Sequence, residues 1–218
     1  DAGFSNSFFL APSLKYEVSD KLTFLVNTEF YKNTSAKASM IFLSRYSPLS
    51  FDSMELFDRN YKRSFTSNDL TMNNNSFNMQ MQALYKLSNN WTSQTVLSKS
   101  STKTNGYYHY LWDSANGDEF TRFISKADGT FYTTDIQQNF IGDFKIGNMR
   151  NRLVAGLDYY NSRLINGGSG WVSNGIVSLV NGTDSGVLTQ AGTDALLTGS
   201  FAGNTEANQE IMSAYVSD

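Results

Sequence analysis

Between Phe131 and Arg163 apolar and polar residues alternate, the chain turns, and the alternation resumes. On the way out Ile136, Phe140, Phe144 and Ile146 fall on one face, with Gln137, Asn139, Asp143 and Lys145 on the other. After Gly147-Asn148-Met149, Leu153, Ala155, Leu157 and Tyr159 share a face opposite Arg152, Gly156, Asp158 and Tyr160. Successive side chains of a strand point to opposite sides of a sheet, so the pattern predicts an antiparallel hairpin. Strands of about eleven residues, tilted near 45°, rise roughly 25 Å, the height of an apolar membrane band. Soluble sandwiches use strands of about five or six residues.

The same design recurs on either side. Phe8 to Val18 and Leu22 to Lys32 meet at Ser19-Asp20-Lys21, with Leu10, Leu14, Tyr16, Val18, Leu22, Phe24, Val26 and Phe30 at the apolar positions. Pro12 cannot donate to a ladder and predicts a bulge or break. Phe77 to Leu87 and Trp91 to about Lys103 meet at Ser88-Asn89-Asn90. There Phe77, Met79, Met81, Ala83, Tyr85 and Leu87 oppose Asn78, Gln80, Gln82 and Lys86. Met79 and Met81 would not share a side of a helix. A last strand starts near Gln209.

Long stretches without a period separate these pairs: Asn33 to about Met72, Thr104 to about Thr130, and about Leu164 to Asn208. The first mixes Asp52, Glu55, Asp58 and Asp69 with Arg45, Arg59, Lys62 and Arg63, read as a solvated surface. The third contains Gly167, Gly168 and Gly170, read as loop flexibility. Strand, short turn, strand and long loop follow one another repeatedly. Short turns on one side and long loops on the other predict an all-β, transmembrane, antiparallel up-and-down β-barrel. Tyr16, Tyr85 and Trp91 at the short-turn end, with Phe30 and Tyr159 at the other, suit interfacial girdles. The competing expectation is a soluble β-sheet whose apolar face is a core.

Composition sharpens this picture. A chain of 218 residues could bury a soluble core, but its 12 Tyr and 16 Phe stand among many Asn, Ser and Thr, with Pro at only 2 positions. No apolar run approaches the roughly eighteen residues a transmembrane helix needs, which leaves a barrel open. A net charge of -3 gives no footprint for nucleic acid. With Cys at 0, disulfide scaffolds, thiol catalysis and Cys-based metal sites drop out. The chain opens at Asp1 and stops in mid-pattern at Tyr215-Val-Ser-Asp218, so a piece of a longer polypeptide is expected.

Leu10-Ala-Pro-Ser-Leu-Lys-Tyr-Glu-Val-Ser-Asp-Lys-Leu-Thr-Phe-Leu-Val-Asn-Thr-Glu-Phe-Tyr-Lys32 resembles a hairpin of TonB-dependent siderophore receptors. Asn90-Trp91-Thr92 resembles their following turn, Leu153-Val-Ala-Gly-Leu-Asp-Tyr159 a later strand, and Ser213-Ala-Tyr-Val-Ser-Asp218 the start of another. Asn151 departs from the family, many of whose members carry His there. The resemblance implies a plugged barrel of about twenty-two strands. Residues 1–218 would supply about seven of those strands, without the plug domain or the C-terminal strands. It further implies a Gram-negative outer membrane, with its lipid and lipopolysaccharide, the TonB energy-transducing complex reached through the plug, and active import of a ferric siderophore. Glycans, peptides or cobalamin are alternative cargoes, and an outer-membrane barrel enzyme is the rival of another class.

The candidate ligand contacts are Tyr107, Tyr108, Tyr110 and Trp112, with Trp171 a weaker candidate. Tyr and Trp stack on flat ligands and hydrogen-bond their edges. The plain alternative is that this run extends a barrel strand and packs on loops. His109 is the single histidine, with neither a nucleophile elbow nor a metal-ligand companion. Hence no catalytic residue, no metal site and no cofactor is expected. Glu29, Gln80, Gln82, Gln137, Asn139, Asp143 and Lys145 would face a water-filled lumen.

Overall fold

The computed structural model describes residues 2–44, 63–114, 117–201 and 203–217, with Pro48 and Glu55 as isolated positions. Arg45, Asp52, Asp58, Arg59 and Lys62 of the charged stretch lie outside the described residues. Ten strands and a short helix follow in chain order: β1 (Phe4–Leu10), β2 (Ser13–Glu17), β3 (Leu22–Ala36), β4 (Met40–Phe42), β5 (Met72–Lys86), β6 (Trp91–Asp113), β7 (Glu119–Ile146), β8 (Met149–Asn166), β9 (Val172–Ser178), α1 (Gln190–Leu197) and β10 (Thr205–Ser217). They form one sheet whose main path is β1-β3-β5-β6-β7-β8-β10, every neighbour antiparallel. β1 and β2 are one strand broken at Ala11-Pro12, both halves pairing with β3. At the break Thr28 donates from backbone and hydroxyl to the Pro12 carbonyl, at 3.0 and 3.2 Å.

Register puts Leu14, Val26, Met81, Leu97, Ile136, Tyr159 and Met212 in a single row across seven strands. None of these side chains is buried, and at the ends and centre of the row they are open: Met212 is 80 % exposed, Leu14 62 % and Ile136 43 %. Among the described residues no second sheet or helix layer packs on the row. Gln138, on the same face, is satisfied locally: it accepts from Thr95 (2.6 Å) and donates to Ser93 (2.9 Å).

The opposite face carries a side-chain hydrogen-bond chain running across the strands. Gln82 donates to Gln80 (3.0 Å), Gln94 to Gln82 (3.1 Å) and Asn139 to Gln94 (3.2 Å), and Tyr215 donates to Asn139. Such a chain satisfies amides on a half-buried polar surface. Phe30 and Phe77 meet at 4.9 Å, with Tyr132 in the same row, and Trp91 stacks on Phe144 at 5.8 Å at the short-turn end. Tyr159 lies in the middle row and not at the upper boundary, because the strands run further beyond it than the alternation indicates.

Two expected loops are structured. β6 has 23 residues and β7 28, and their ladder continues to Asp113↔Phe120, so 104–130 is a hairpin rather than a loop. Its period was hidden because each face of the extension mixes apolar and polar residues, as Leu111 with Arg122 on one and Phe123 with Thr121 on the other, and alternation needs one face polar throughout to be seen. β4 joins β6 in parallel and β9 joins β7 antiparallel, widening the extension to four strands. The third stretch contributes β9 and α1, whose N-cap Thr189 accepts from the Gly192 N–H at 3.3 Å. Its glycines allow close approach rather than flexibility. A Cβ on Gly168 would lie 2.7 Å from the Lys126 carbonyl, where the Ser169 N–H donates at 2.8 Å.

Candidate binding face

The β4-β6-β7-β9 extension has two unlike sides. By alternation, Tyr107, His109, Leu111 and Asp113 of β6 share a side with Phe120, Arg122, Ile124 and Lys126 of β7. This side continues the apolar face below and is covered by the polypeptide. Leu70, Tyr107, Ile124 and Leu197 form one packed cluster with Val172 and Leu188; Leu111, Phe120 and Val177 form a second with Phe65 and Leu179.

Buried polar groups pin the covering segments. Arg122, fully buried, makes a two-pronged ion pair with Asp184 and donates to the Phe65 carbonyl at 2.8 Å, tying two loops to β7. Asp194 of α1 accepts from Tyr107 (2.8 Å) and Lys126 (2.7 Å). Burial raises the Asp194 carboxyl, but the hydrogen bonds and charge of those partners outweigh it and hold the group below its ordinary value. His109 sits between Ser39 (2.6 Å from Nδ1) and Thr66 (3.0 Å from Nε2). Because Ser39 Oγ donates to the Phe65 carbonyl at 3.1 Å, the ring's Nδ1–H donates to Ser39 and Nε2 accepts from Thr66. Burial, then the Arg122 charge, push the imidazole down to about 4, so it is neutral at pH 7. A ring that donates to its serine cannot withdraw that serine's proton, the reverse of a general base.

The other side continues the polar face below and is open. Tyr108, Tyr110 and Trp112 of β6 alternate onto it with Phe123 of β7. Tyr110 is the centre: Phe123 stacks on it at 5.3 Å, Phe42 of β4 meets it edge-on at 5.3 Å, and Trp171 meets it at 4.8 Å. Trp112 lies 6.0 Å from Phe42. Tyr108, Trp112 and Trp171 are each about half exposed. The result is an aromatic wall whose planes are held by backbone pairing and are accessible from one direction. Of the five sequence candidates, the structure brings Tyr108, Tyr110, Trp112 and Trp171 together; Tyr107 faces the packed side, its hydroxyl committed to Asp194. Phe42 and Phe123 escaped the sequence reading. Phe42 lies in the short apolar run Met40-Ile41-Phe42-Leu43 inside a charged stretch, the signal that could have found it. Among the described residues no three or more His, Asp or Glu side chains gather as a metal site would need.

No family model matches the sequence, and no curated protein matches it. Solved structures do. The ferric preacinetobactin receptor BauA of Acinetobacter baumannii superposes with a TM-score of 0.67 at 12 % identity, over 97 % of this chain and 31 % of that one. The closed form of the E. coli ferric-catecholate import receptor Fiu gives 0.70 at 14 %, over 97 % and 31 %. The P. aeruginosa receptor FpvA, bound to a heterologous pyoverdine, gives 0.70 at 11 %, over 98 % and 28 %. This chain has the fold of a siderophore-receptor barrel wall. It spans about a third of the length of these receptors. On this fold the apolar row lies on the outside of the barrel wall, the amide chain on its inside, and the β6-β7 extension stands on the long-loop side. The wall of Tyr108, Tyr110, Trp112 and Trp171 therefore faces the axis of the barrel.

Proposed function

We propose that this chain is the ligand-gathering part of a TonB-dependent outer-membrane receptor that binds and imports ferric siderophores. In this reading residues 1–218 belong to the barrel domain. The plug, the energy-transducing partner reached through it, and the remaining strands belong to the whole receptor. The observation that carries the proposal is the aromatic wall on the axial side of a strand extension, directly above the lumenal amide row. Tyr108, Tyr110, Trp112 and Trp171, with Phe42 and Phe123, offer flat apolar area at low entropy cost, and the tyrosine hydroxyls and indole N–H groups offer donors to ligand oxygens. Such a surface suits a metal chelate with a planar apolar rim and a polar centre. The iron is cargo held by its chelator, so no protein metal ligand is required. The chain acts as a receptor wall and not as an enzyme, in keeping with a neutral His109 that is hydrogen-bonded away from base chemistry.

The test is tryptophan fluorescence of the full-length receptor in detergent, titrated with a panel of ferric siderophores. Saturable quenching by one of them, lost in Trp112→Ala and Trp171→Ala, is expected. Deletion of the full gene should remove iron-limited growth on that same siderophore in a Gram-negative host. Quenching by glycans, peptides or cobalamin and by no ferric siderophore replaces the cargo and overturns the siderophore reading.

A further inference from the structure

A cavity of about 290 Å³ lies beside the aromatic wall, where the chain leaves β3 and crosses toward β4. Ser35, Lys37, Asn74 and Tyr108 border it, and Met40, Leu70 and Met72 supply apolar lining. Tyr107 and His109 also border it, but their polar atoms are already committed to Asp194, Ser39 and Thr66. Asn74 Oδ1 accepts from the Thr104 hydroxyl at 2.9 Å, which leaves the amide NH₂ as the spare end of that side chain. Ser35 is 1 % exposed, and its Oγ has no hydrogen-bond partner among the described residues. Lys37 makes no ion pair among the described residues. No carboxylate borders the cavity, and the neighbouring Asp194 is balanced by Lys126.

The uncommitted polar groups are therefore a cation, an amide NH₂ and two hydroxyls: four donors and no anion. Ser35 is buried with its hydroxyl unpaired, Asn74 is half-buried, and Lys37 and Tyr108 stand exposed at the rim, so the cavity presents one unmet buried hydroxyl and a solvated cation to whatever enters it. An engineered cavity of roughly 150 Å³ admits benzene, so this one has room for a ring with a charged substituent. From this we infer that the cavity is a subsite for a carboxylate on a small apolar body. Lys37 and the Asn74 amide take the oxygens, and Met40, Leu70 and Met72 clamp the body. Tyr108 belongs both to the cavity and to the aromatic wall, so a ligand stacked on the wall has an acidic arm within reach of Lys37. This inference rests on the receptor reading and adds to it that the ligand carries an anionic arm.

The experiment uses the full-length receptor in detergent, titrated calorimetrically with benzoate, benzyl alcohol and benzylamine. Benzoate should bind at one site, at least about tenfold more tightly than benzyl alcohol, and benzylamine should not bind. Lys37→Met should weaken benzoate by at least about tenfold and leave benzyl alcohol unchanged. Asn74→Asp, which keeps the acceptor for Thr104, should abolish benzoate binding. No benzoate binding, equal affinity for benzoate and benzyl alcohol, or an unaltered Lys37→Met titration overturns the inference. Loss of this charge preference with siderophore quenching intact removes the subsite and keeps the receptor. Charge preference without any siderophore quenching removes the siderophore reading and keeps the subsite.

Discussion

The ring of Tyr215 lies across Gly156, and its hydroxyl reaches past that residue to donate to Asn139. A Cβ at position 156 would sit 2.5 Å from the ring carbon Cζ and 2.5 Å from Asn139 Oδ1. β10 thus touches β7 over the top of β8, and only a residue without a side chain leaves the passage open. Gly156→Ala is expected to destabilise the barrel wall by about 1–3 kcal/mol through overpacking. Tyr215→Phe keeps the ring and loses about 1 kcal/mol with the hydrogen bond. Thermal unfolding of the purified full-length protein measures both; an unchanged midpoint for Gly156→Ala contradicts the packing described.

Arg122, fully buried, and Asp184, at the surface, form the pair that ties the segments around Phe65 and β9 to β7. Removing the acid leaves the fully buried Arg122 guanidinium uncompensated, so Asp184→Leu should loosen those segments by about 3–5 kcal/mol. The double change Arg122→Met with Asp184→Leu removes both charges and should recover most of the loss. Limited proteolysis between 172 and 201 reads this out, with rapid cleavage in the single variant and slow cleavage in the double. Equal rates in both would place the anchoring elsewhere.

His109 gives the outer segments a pH dependence. Its pKa of about 4 in the folded state lies below the ordinary 6.5. Between those values the released chain takes up a proton that the packed chain does not. The attachment is therefore fully present above pH 6.5 and weakens as pH falls toward 4, by about 2–3 kcal/mol. Amide exchange at Ser39, whose N–H donates to the Ser64 carbonyl, should accelerate over that window beyond the intrinsic chemistry. His109→Phe should flatten the profile; a variant that keeps the full pH dependence assigns it to another group.

The membrane-spanning half of the fold could be read from the chain, and the half above it only in part. One face of β3, β5, β7 and β8 is apolar and the other carries amides, so a two-residue period survives in the residues themselves, as at Ile136-Gln137 and Met81-Gln82. In the extension, Leu111 is packed under loops while Tyr110 and Trp112 line the opposite side, and the alternation disappears. Which aromatics gather was half visible: Tyr108, Tyr110 and Trp112 sit at alternate positions, which is one face of a strand. Tyr107 fell into the same run, but its odd position turns it the other way, and the register to Lys126 places it on the packed side. Trp171 joins Tyr110 across sixty residues of chain through β9 pairing, and no local pattern encodes a contact of that range.

The covering segments are all clamped to the outer side of the β6-β7 extension. That clamp thickens the hairpin from behind: with Arg122 holding both Asp184 and the Phe65 carbonyl, the cover and the aromatic wall form one block, so a displacement of either carries the other with it.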